Sequence, residues 1–208
     1  NYELTARDRD GRETVVSYNA TTFYDRDRRL QGVFAAARDI TERKLAEAQI
    51  LNLALHDTLT GLPNRRLLND RLVQAMTTSK RNASHGALIF LDLDNFKPLN
   101  DTHGHHVGDL LLIEVAQRIC GCVRAVDDIA RFGGDEFVVL LCELGTQQDE
   151  AAAQVAAIAE KIRNRLAEPY VLQAAPSAPA IRHQCTASIG VAVFQGRDES
   201  QNAVIDRA

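Results

Sequence analysis

Acidic residues fall at two places where a strand should end. Ala87-Leu88-Ile89-Phe90-Leu91 is a continuous apolar run of the length suited to a buried strand, and it leads straight into Asp92-Leu93-Asp94. Side chains alternate along a strand, so Asp92 and Asp94 share a face. Further on, Arg131-Phe132-Gly133-Gly134-Asp135-Glu136-Phe137 stands between Asp128-Ile129-Ala130 and Val138-Val139-Leu140-Leu141. Two glycines between β-type runs predict a tight hairpin turn, because glycine takes positive φ freely, and Asp135 and Glu136 follow that turn at once. Either acidic tip alone reads as a solvated strand end. Brought together, Asp92 and Asp135 would repel, and desolvation would add to the cost. A hard divalent cation removes the conflict. Mg²⁺ is typically held by one or two carboxylates and completed by substrate phosphates. Both tips together with the glycine turn favour a metal site.

The elements around these tips alternate between helix and strand. Asn64 is placed to cap a helix reaching about Lys80, with Leu68, Leu72, Ala75 and Met76 as its buried stripe. Residues 79–86 read as a polar loop, and the Asp92 strand follows. Asp101 to Gly108 reads as a glycine- and histidine-rich turn, and Asp109 to Cys122 as a helix with Leu112, Val115, Ala116 and Ile119 inward. After the hairpin comes an alanine-rich helix from Glu150 to Ala167, stopped by Glu168-Pro169. A Pro/Ala/Ser loop from Ala174 to Ala180 then precedes a strand from Thr186 to Phe194. This alternation predicts an α/β sandwich.

Ahead of it, residues 1–40 read as antiparallel strands with a turn at Asp10-Gly11 and a charged loop at Asp25-Arg26-Asp27-Arg28-Arg29. Asp39 is a suitable N-cap, with Glu42 three residues on, for a helix from about Ile40 to Leu55. Leu45, Ala48, Asn52 and Leu55 fall at a/d spacing, while Ala46, Ile50 and Leu53 form a rival stripe. The helix is therefore either a plain connector or a pairing helix.

The chain has 208 residues, 45% of them hydrophobic and 25% charged, enough for one domain plus an accessory piece. A formal net charge of −4 argues against a nonspecific nucleic-acid partner. No apolar run is long enough to span a bilayer, so no membrane contact is expected within this chain. No signal peptide is visible and the abrupt start reads as a fragment. Cys120, Cys122, Cys142 and Cys185 lack a second pair at zinc-site spacing and read as buried free thiols of a reducing, cytoplasmic compartment, any membrane anchor lying upstream.

Gly133-Gly134-Asp135-Glu136-Phe137 is identical to the signature of the GGDEF domains, the diguanylate cyclases. Asp57-Thr58-Leu59-Thr60-Gly61-Leu62-Pro63-Asn64-Arg65 is similar to the family's opening motif. Asp92 through His105, Gly108-Asp109 and Ser188-Ile189-Gly190-Val191-Ala192 are similar to its nucleotide segment and late strand. The resemblance spans roughly residues 56–208, and several motifs in order are more specific than one. Residues 1–40 resemble the C-terminal sheet of a PAS domain, and residues 41–55 would be a signalling helix between sensor and enzyme. The implied fold is α/β (α+β). It has a central mixed, mostly antiparallel sheet flanked by helices, as in nucleotide cyclases and polymerase palms, with the partial PAS-type sheet and connecting helix in front.

The resemblance implies condensation of two GTP into cyclic di-GMP by a homodimer joined through the linker helix. Asp92, Asp135 and the Leu93 carbonyl would hold Mg²⁺ or Mn²⁺. Asp135 would also accept the hydroxyl proton, and Glu136 would be a second metal or substrate ligand. Lys97 would bring charge to the phosphates, or is an exposed surface lysine. Asn95 and Phe96 would offer backbone N–H groups to phosphate oxygens. Asn100 and Asp109 match the guanine-reading pair; otherwise they are a turn residue and a helix N-cap. His105 matches a residue near the substrate, whereas His103 and His106 read as ordinary. Arg124-Ala125-Val126-Asp127 resembles the inhibitory product site, or is a surface i,i+3 ion pair.

Where the family continues into a helix bearing a lysine and an arginine for the phosphates, this sequence stops at Val204-Ile205-Asp206-Arg207-Ala208. The resemblance thus predicts a cyclase whose phosphate grip is incomplete in this chain. The competing reading is a non-catalytic module sensing GTP or cyclic di-GMP within a larger signalling protein, with or without a phosphodiesterase domain. The full set of Asp92, Asp135, Lys97, Asn100 and Asp109 favours the enzyme, because a receptor does not need all of it.

Overall fold

The computed structural model describes residues 2–174, 179–195 and 200–207, so residues 175–178 of the expected Pro/Ala/Ser loop lie outside the described residues. The chain divides into two compact units, Asn1–Ala54 and Leu55–Ala208.

In the first unit, β1 (Tyr2–Arg7), β2 (Glu13–Tyr24) and β3 (Leu30–Asp39) form an antiparallel sheet in that order. Its two turns are built alike. The Asp8 carboxylate accepts from the N–H groups of Asp10 and Arg12, and Asp25 does the same for Asp27 and Arg29. The register opposes Tyr2 to Tyr18, Leu4 to Val16 and Thr22 to Val33, which puts an apolar row on one face. Tyr2, Leu4, Tyr18 and Val33 of that row are exposed. Helix α1 (Thr41–Leu55) starts one residue later than expected. Asp39 is the last residue of β3, and its carboxylate accepts from the Thr41 N–H at 2.8 Å. Ile40 is buried and tied to the sheet, its N–H donating to the Val15 carbonyl, while the Val15 N–H donates to Thr41 Oγ1. Beyond this root α1 buries nothing. Leu45 from one apolar stripe and Ile50 and Leu53 from the other are all exposed.

The second unit opens with α2 (Arg65–Asn82), capped as expected: Asn64 accepts from the N–H groups of Arg66 and Leu67. There follow β4 (His85–Leu93), α3 (Phe96–His103), α4 (His105–Cys120), β5 (Asp128–Gly133) and β6 (Glu136–Leu144). Then come α5 (Gln148–Leu166), β7 (Tyr170–Leu172), β8 (Ile181–His183), β9 (Ala187–Phe194) and α6 (Gln201–Asp206). The central sheet has the order β5-β6-β4-β9, and each of its ladders is antiparallel. The one parallel pairing among the described residues is an isolated bridge between Asn64 and Arg131.

Both faces of this sheet are covered, which is why β4 reads as unbroken apolar sequence. Ile89, Leu91 and Leu93 join a core with Leu111, Val115, Val155 and Ile162, and Leu88 joins one with Leu68, Leu72, Ala192 and Val204. Burying each such side chain stabilises the fold by roughly 1.5–3 kcal/mol.

Three local expectations need correction. The glycine- and histidine-rich stretch is mostly helical: α3 and α4 are separated by Gly104 alone, at φ +83°. Pro98 does not prevent this, because an N–H in the first helical turn has no intrahelical partner to lose. Cys120 is exposed rather than buried. Finally, Glu168-Pro169 does end α5, but the short β7–β8 pair after it was not anticipated. Buried Arg118 anchors this corner, donating to the carbonyls of Arg165, Glu168 and Pro169 with its guanidinium 3.6 Å from the centre of the Tyr170 ring.

Candidate active site

The two acidic tips meet. Strands β4 and β6 pair in a register that opposes Leu91 to Phe137 and Asp92 to Glu136. Gly133 pairs with Glu136, so the turn between β5 and β6 is the two residues Gly134 and Asp135. Asp135 therefore lies in the turn itself rather than after it. Gly134 takes φ +52° and Gly133 φ +145°, which is what the glycines are for. The Leu93 N–H reaches the Asp135 carbonyl at 3.4 Å, bringing the end of β4 against the turn. The Asp92 carboxyl is pushed above its ordinary value, first by partial desolvation at the strand end and then by the charges of Asp135, Glu136 and Asp94. Among the described residues neither Asp92 nor Asp135 has a side-chain hydrogen bond that would offset the repulsion.

A metal can be tested against this donor set. Among the described residues no three His, Cys, Asp or Glu side chains form a metal-binding cluster, which disfavours a site built wholly from protein ligands. Two repelling carboxylates beside a strand-end carbonyl fit a hard cation that takes the rest of its shell from substrate and water. A consequence follows for the metal-free protein. A carboxyl whose folded pKa is raised favours folding at low pH, and that contribution is lost as pH rises through the folded value. In chelator, Asp92→Asn should raise stability at neutral pH by less than about 1 kcal/mol, the group being exposed and screened. It should also flatten the gain that the native chain shows on acidification just above the ordinary carboxylate range. Thermal melts across pH, with and without Mg²⁺, read both effects.

Asp94 turns to β9. Its carboxylate accepts from the hydroxyls of Thr186 and Ser188, the latter at 2.8 Å, and the first of these bonds does most to hold its pKa below the ordinary value. Next, Asn95 adopts φ +61°, unusual for a residue other than glycine, and turns the chain into α3. The first N–H groups of that helix border an open recess of about 620 Å³ lined by Asp92 through Pro98, Asp135 and Thr186. Unpaired N–H groups at a helix start favour an anion. Lys97 is exposed at the same rim. A better enclosed cavity of about 290 Å³, between Arg71, His85, Asp128 and Phe194, lies at the far end of β4 and holds neither acidic tip.

Asn100 lies on α3, and Gly108 and Asp109 on α4. Because α4 begins at His105, Asp109 is not its N-cap, and Asn100 is helical rather than a turn residue. The Asn100 Oδ1 is buried without a hydrogen-bond partner. It packs on the bare Cα of Gly108, where an added Cβ would lie 1.9 Å from it. A buried, unpaired amide oxygen is costly, and a water or a ligand donor would offset that cost. His105 is the exposed first residue of α4.

Arg124 and Asp127 are together, but not as a simple surface pair. The Asp127 side chain is fully buried and Arg124 half-exposed. Asp127 accepts from the Arg124 N–H at 2.9 Å, from the Arg124 guanidinium and from the Cys142 N–H. Its carboxylate is thus occupied by the loop it holds, and the exposed edge of Arg124 is what a ligand would meet.

A linkage absent from the sequence reading supports the turn. Arg131 donates to both carboxylate oxygens of Asp57 at 3.0 Å and to the Gly134 carbonyl at 2.7 Å. Its N–H also donates to the Pro63 carbonyl. The opening motif and the acidic turn are therefore one hydrogen-bonded piece. Partners 74 residues apart leave no local pattern that could have disclosed this.

Known proteins resemble this chain in sequence and in fold. A family model described as "Diguanylate cyclase, GGDEF domain" matches residues 54–208. The chain is 45% identical over 165 residues to the bifunctional diguanylate cyclase/cyclic di-GMP phosphodiesterase MucR of Pseudomonas aeruginosa, covering 78% of this chain and 22% of that protein. It is 35% identical to the response regulator PleD of Caulobacter vibrioides, covering 76% of this chain and 33% of PleD. The chain thus spans only a minor part of these relatives. The GGDEF domain of TpbB from Pseudomonas aeruginosa superposes with a TM-score of 0.64 at 34% identity, covering 73% of this chain and 82% of that one. The coiled coil and GGDEF domain of DgcB from Caulobacter crescentus, in complex with cyclic di-GMP, gives 0.68 at 28% identity, covering 81% and 84%.

Proposed function

This chain belongs to the GGDEF diguanylate cyclase family, and from that premise we propose that it is itself a working cyclase. Its reaction joins two GTP into cyclic di-GMP and releases two pyrophosphates. The observation that carries this reading is the meeting of Asp92 with Asp135 at the recess, with Glu136 opposite Asp92 on β6, where the three repel unless a cation intervenes.

Asp92, Asp135 and the Leu93 carbonyl would hold Mg²⁺, with Glu136 adjacent. When bound, the metal neutralises phosphate charge and so eases attack at phosphorus. The amides of Asn95 and Phe96 receive phosphate oxygens, and Lys97 offsets the charge that develops in the transition state. Asn100 Oδ1 and the Asp109 carboxylate accept the N1–H and N2–H donors of guanine, which adenine does not present in that pattern. His105 borders the same substrate. As the 3′-hydroxyl oxygen of one GTP bonds the α-phosphorus of another, its proton passes to Asp135 and the bond to pyrophosphate breaks. One site holds one GTP, so two copies must face each other, with α1 as the pairing helix. The exposed apolar residues on both of its stripes support that role. The three-stranded unit is the end of a PAS-type sensor.

The test incubates the protein with GTP and MgCl₂ and resolves the nucleotides by chromatography. Cyclic di-GMP with two pyrophosphates per product is expected, and its absence from protein that binds GTP would overturn the reading. At the inhibitory product site Arg124 would meet the product, and buried Asp127 would hold the loop that presents it. Arg124→Ala should raise the product concentration needed for half-inhibition by about tenfold, the worth of one charge-assisted contact. Unchanged product sensitivity in progress curves refutes that assignment.

A further inference from the structure

We infer that Asp94 is a positioning residue: clamped to β9 by Thr186 and Ser188, it fixes the corner from Leu93 to Phe96 before any ligand arrives. The inference rests on the functional reading above, which places a metal-binding carbonyl at Leu93 and phosphate-binding amides at Asn95 and Phe96.

The corner is an unfavourable piece of backbone. β4 ends at Leu93, and two residues later Asn95 stands at φ +61° without a side-chain capping bond. Non-glycine residues seldom adopt that conformation, so something must hold it. The restraint comes from the neighbouring strand. β9 pairs Ser188 with Asp92 and Ala187 with Leu93, which carries Thr186 past the end of β4 to lie beside Asp94. There the Asp94 N–H donates to the Thr186 carbonyl at 3.0 Å, and the Thr186 and Ser188 hydroxyls each take one carboxylate oxygen.

These bonds go beyond an ordinary strand end in two ways. Both carboxylate oxygens are engaged, so Asp94 is held at three points and its side chain is occupied rather than offered to a ligand. Asp94 and Thr186 also line the recess itself, beside the groups they would aim. The donors are neutral hydroxyls, so the anchor brings no cation that would compete with the metal for Asp92 or Asp135. Preorganisation of this kind shows mainly in binding, because a loose corner must be ordered whenever substrate arrives.

The test compares Asp94→Ala, Thr186→Val and Thr186→Ser with the native protein. Asp94→Ala should raise both the GTP KM and the Mg²⁺ concentration for half-maximal rate by about tenfold or more, with a smaller fall in kcat at saturation. Thr186→Val should move the same quantities in the same direction, and Thr186→Ser should restore them. Without metal or nucleotide, amide hydrogen exchange at Leu93 and residue 94 should quicken by about tenfold in Asp94→Ala, while Ile89 in the middle of β4 keeps its protection. Exchange unchanged at the corner, exchange quickened throughout the sheet, or a fall in kcat alone would each overturn the inference. Should the native protein bind GTP without making product, the functional reading fails, while the exchange comparison still decides this one.

Discussion

Asparagine in place of Asp135 is expected to lower cyclic di-GMP formation by at least about 10³-fold, with little change in melting temperature. The two side chains have nearly the same shape, so the Gly134–Asp135 turn should form as before. The turn is held through its backbone: the Gly134 carbonyl by Arg131 and the Asp135 carbonyl by the Leu93 N–H. What disappears is a negative charge at the position that would both hold the metal and take the hydroxyl proton; an amide takes no proton and offers the metal only a neutral oxygen. Nucleotide chromatography gives the rate, a thermal melt gives the stability, and a titration with GTP separates chemistry from binding. Product at the native rate would remove Asp135 from the mechanism. A collapse in stability would instead make it a structural residue.

Gly108→Ala should weaken GTP binding by roughly 100-fold, the loss expected when a buried acceptor no longer meets its donors. A methyl group at position 108 would lie 1.9 Å from Asn100 Oδ1 and 2.9 Å from its Cγ. The short Asn100 side chain can rotate away, so the helices need not part. Its oxygen then leaves the place where a guanine donor would find it. Alanine favours helix over glycine by about 1 kcal/mol, so the variant should not be markedly unstable. Calorimetric titration with GTP and with ATP reads the outcome. The GTP affinity should fall toward that for ATP, because Asn100 would be one of the two groups that distinguish the bases. Native affinity for GTP would show that Asn100 does not read the base.

These two residues also show where sequence reasoning reached and where it stopped. β4 and the hairpin were legible because their signals are local: an apolar run, paired glycines, and acidic residues just beyond. The Asn64 cap was legible for the same reason. The span from Asp101 to Gly108 misled, since its glycines and histidines suggest a turn, yet only Gly104 breaks the helices. Gly108 is glycine for space rather than for φ, and sequence alone does not tell these needs apart. The supports were illegible in principle. Asp94 with Thr186 and Asp57 with Arg131 are polar residues of common type, separated by 92 and 74 positions, and only the folded sheet brings them together. The β7–β8 pair escaped because strands of three residues carry too little pattern to register.

Asp92, Asp135, Glu136 and Lys97 all stand at the rim of the sheet, outside both apolar cores. Shape and chemistry are therefore entrusted to different residues. A descendant of this chain could lose its acids one by one without unfolding, and each loss would relieve repulsion rather than open a cavity. In such a descendant the proposed chemistry would be gone while the recess beside α3 remained, so a lineage of this kind could pass from making a messenger to sensing one without first losing its fold.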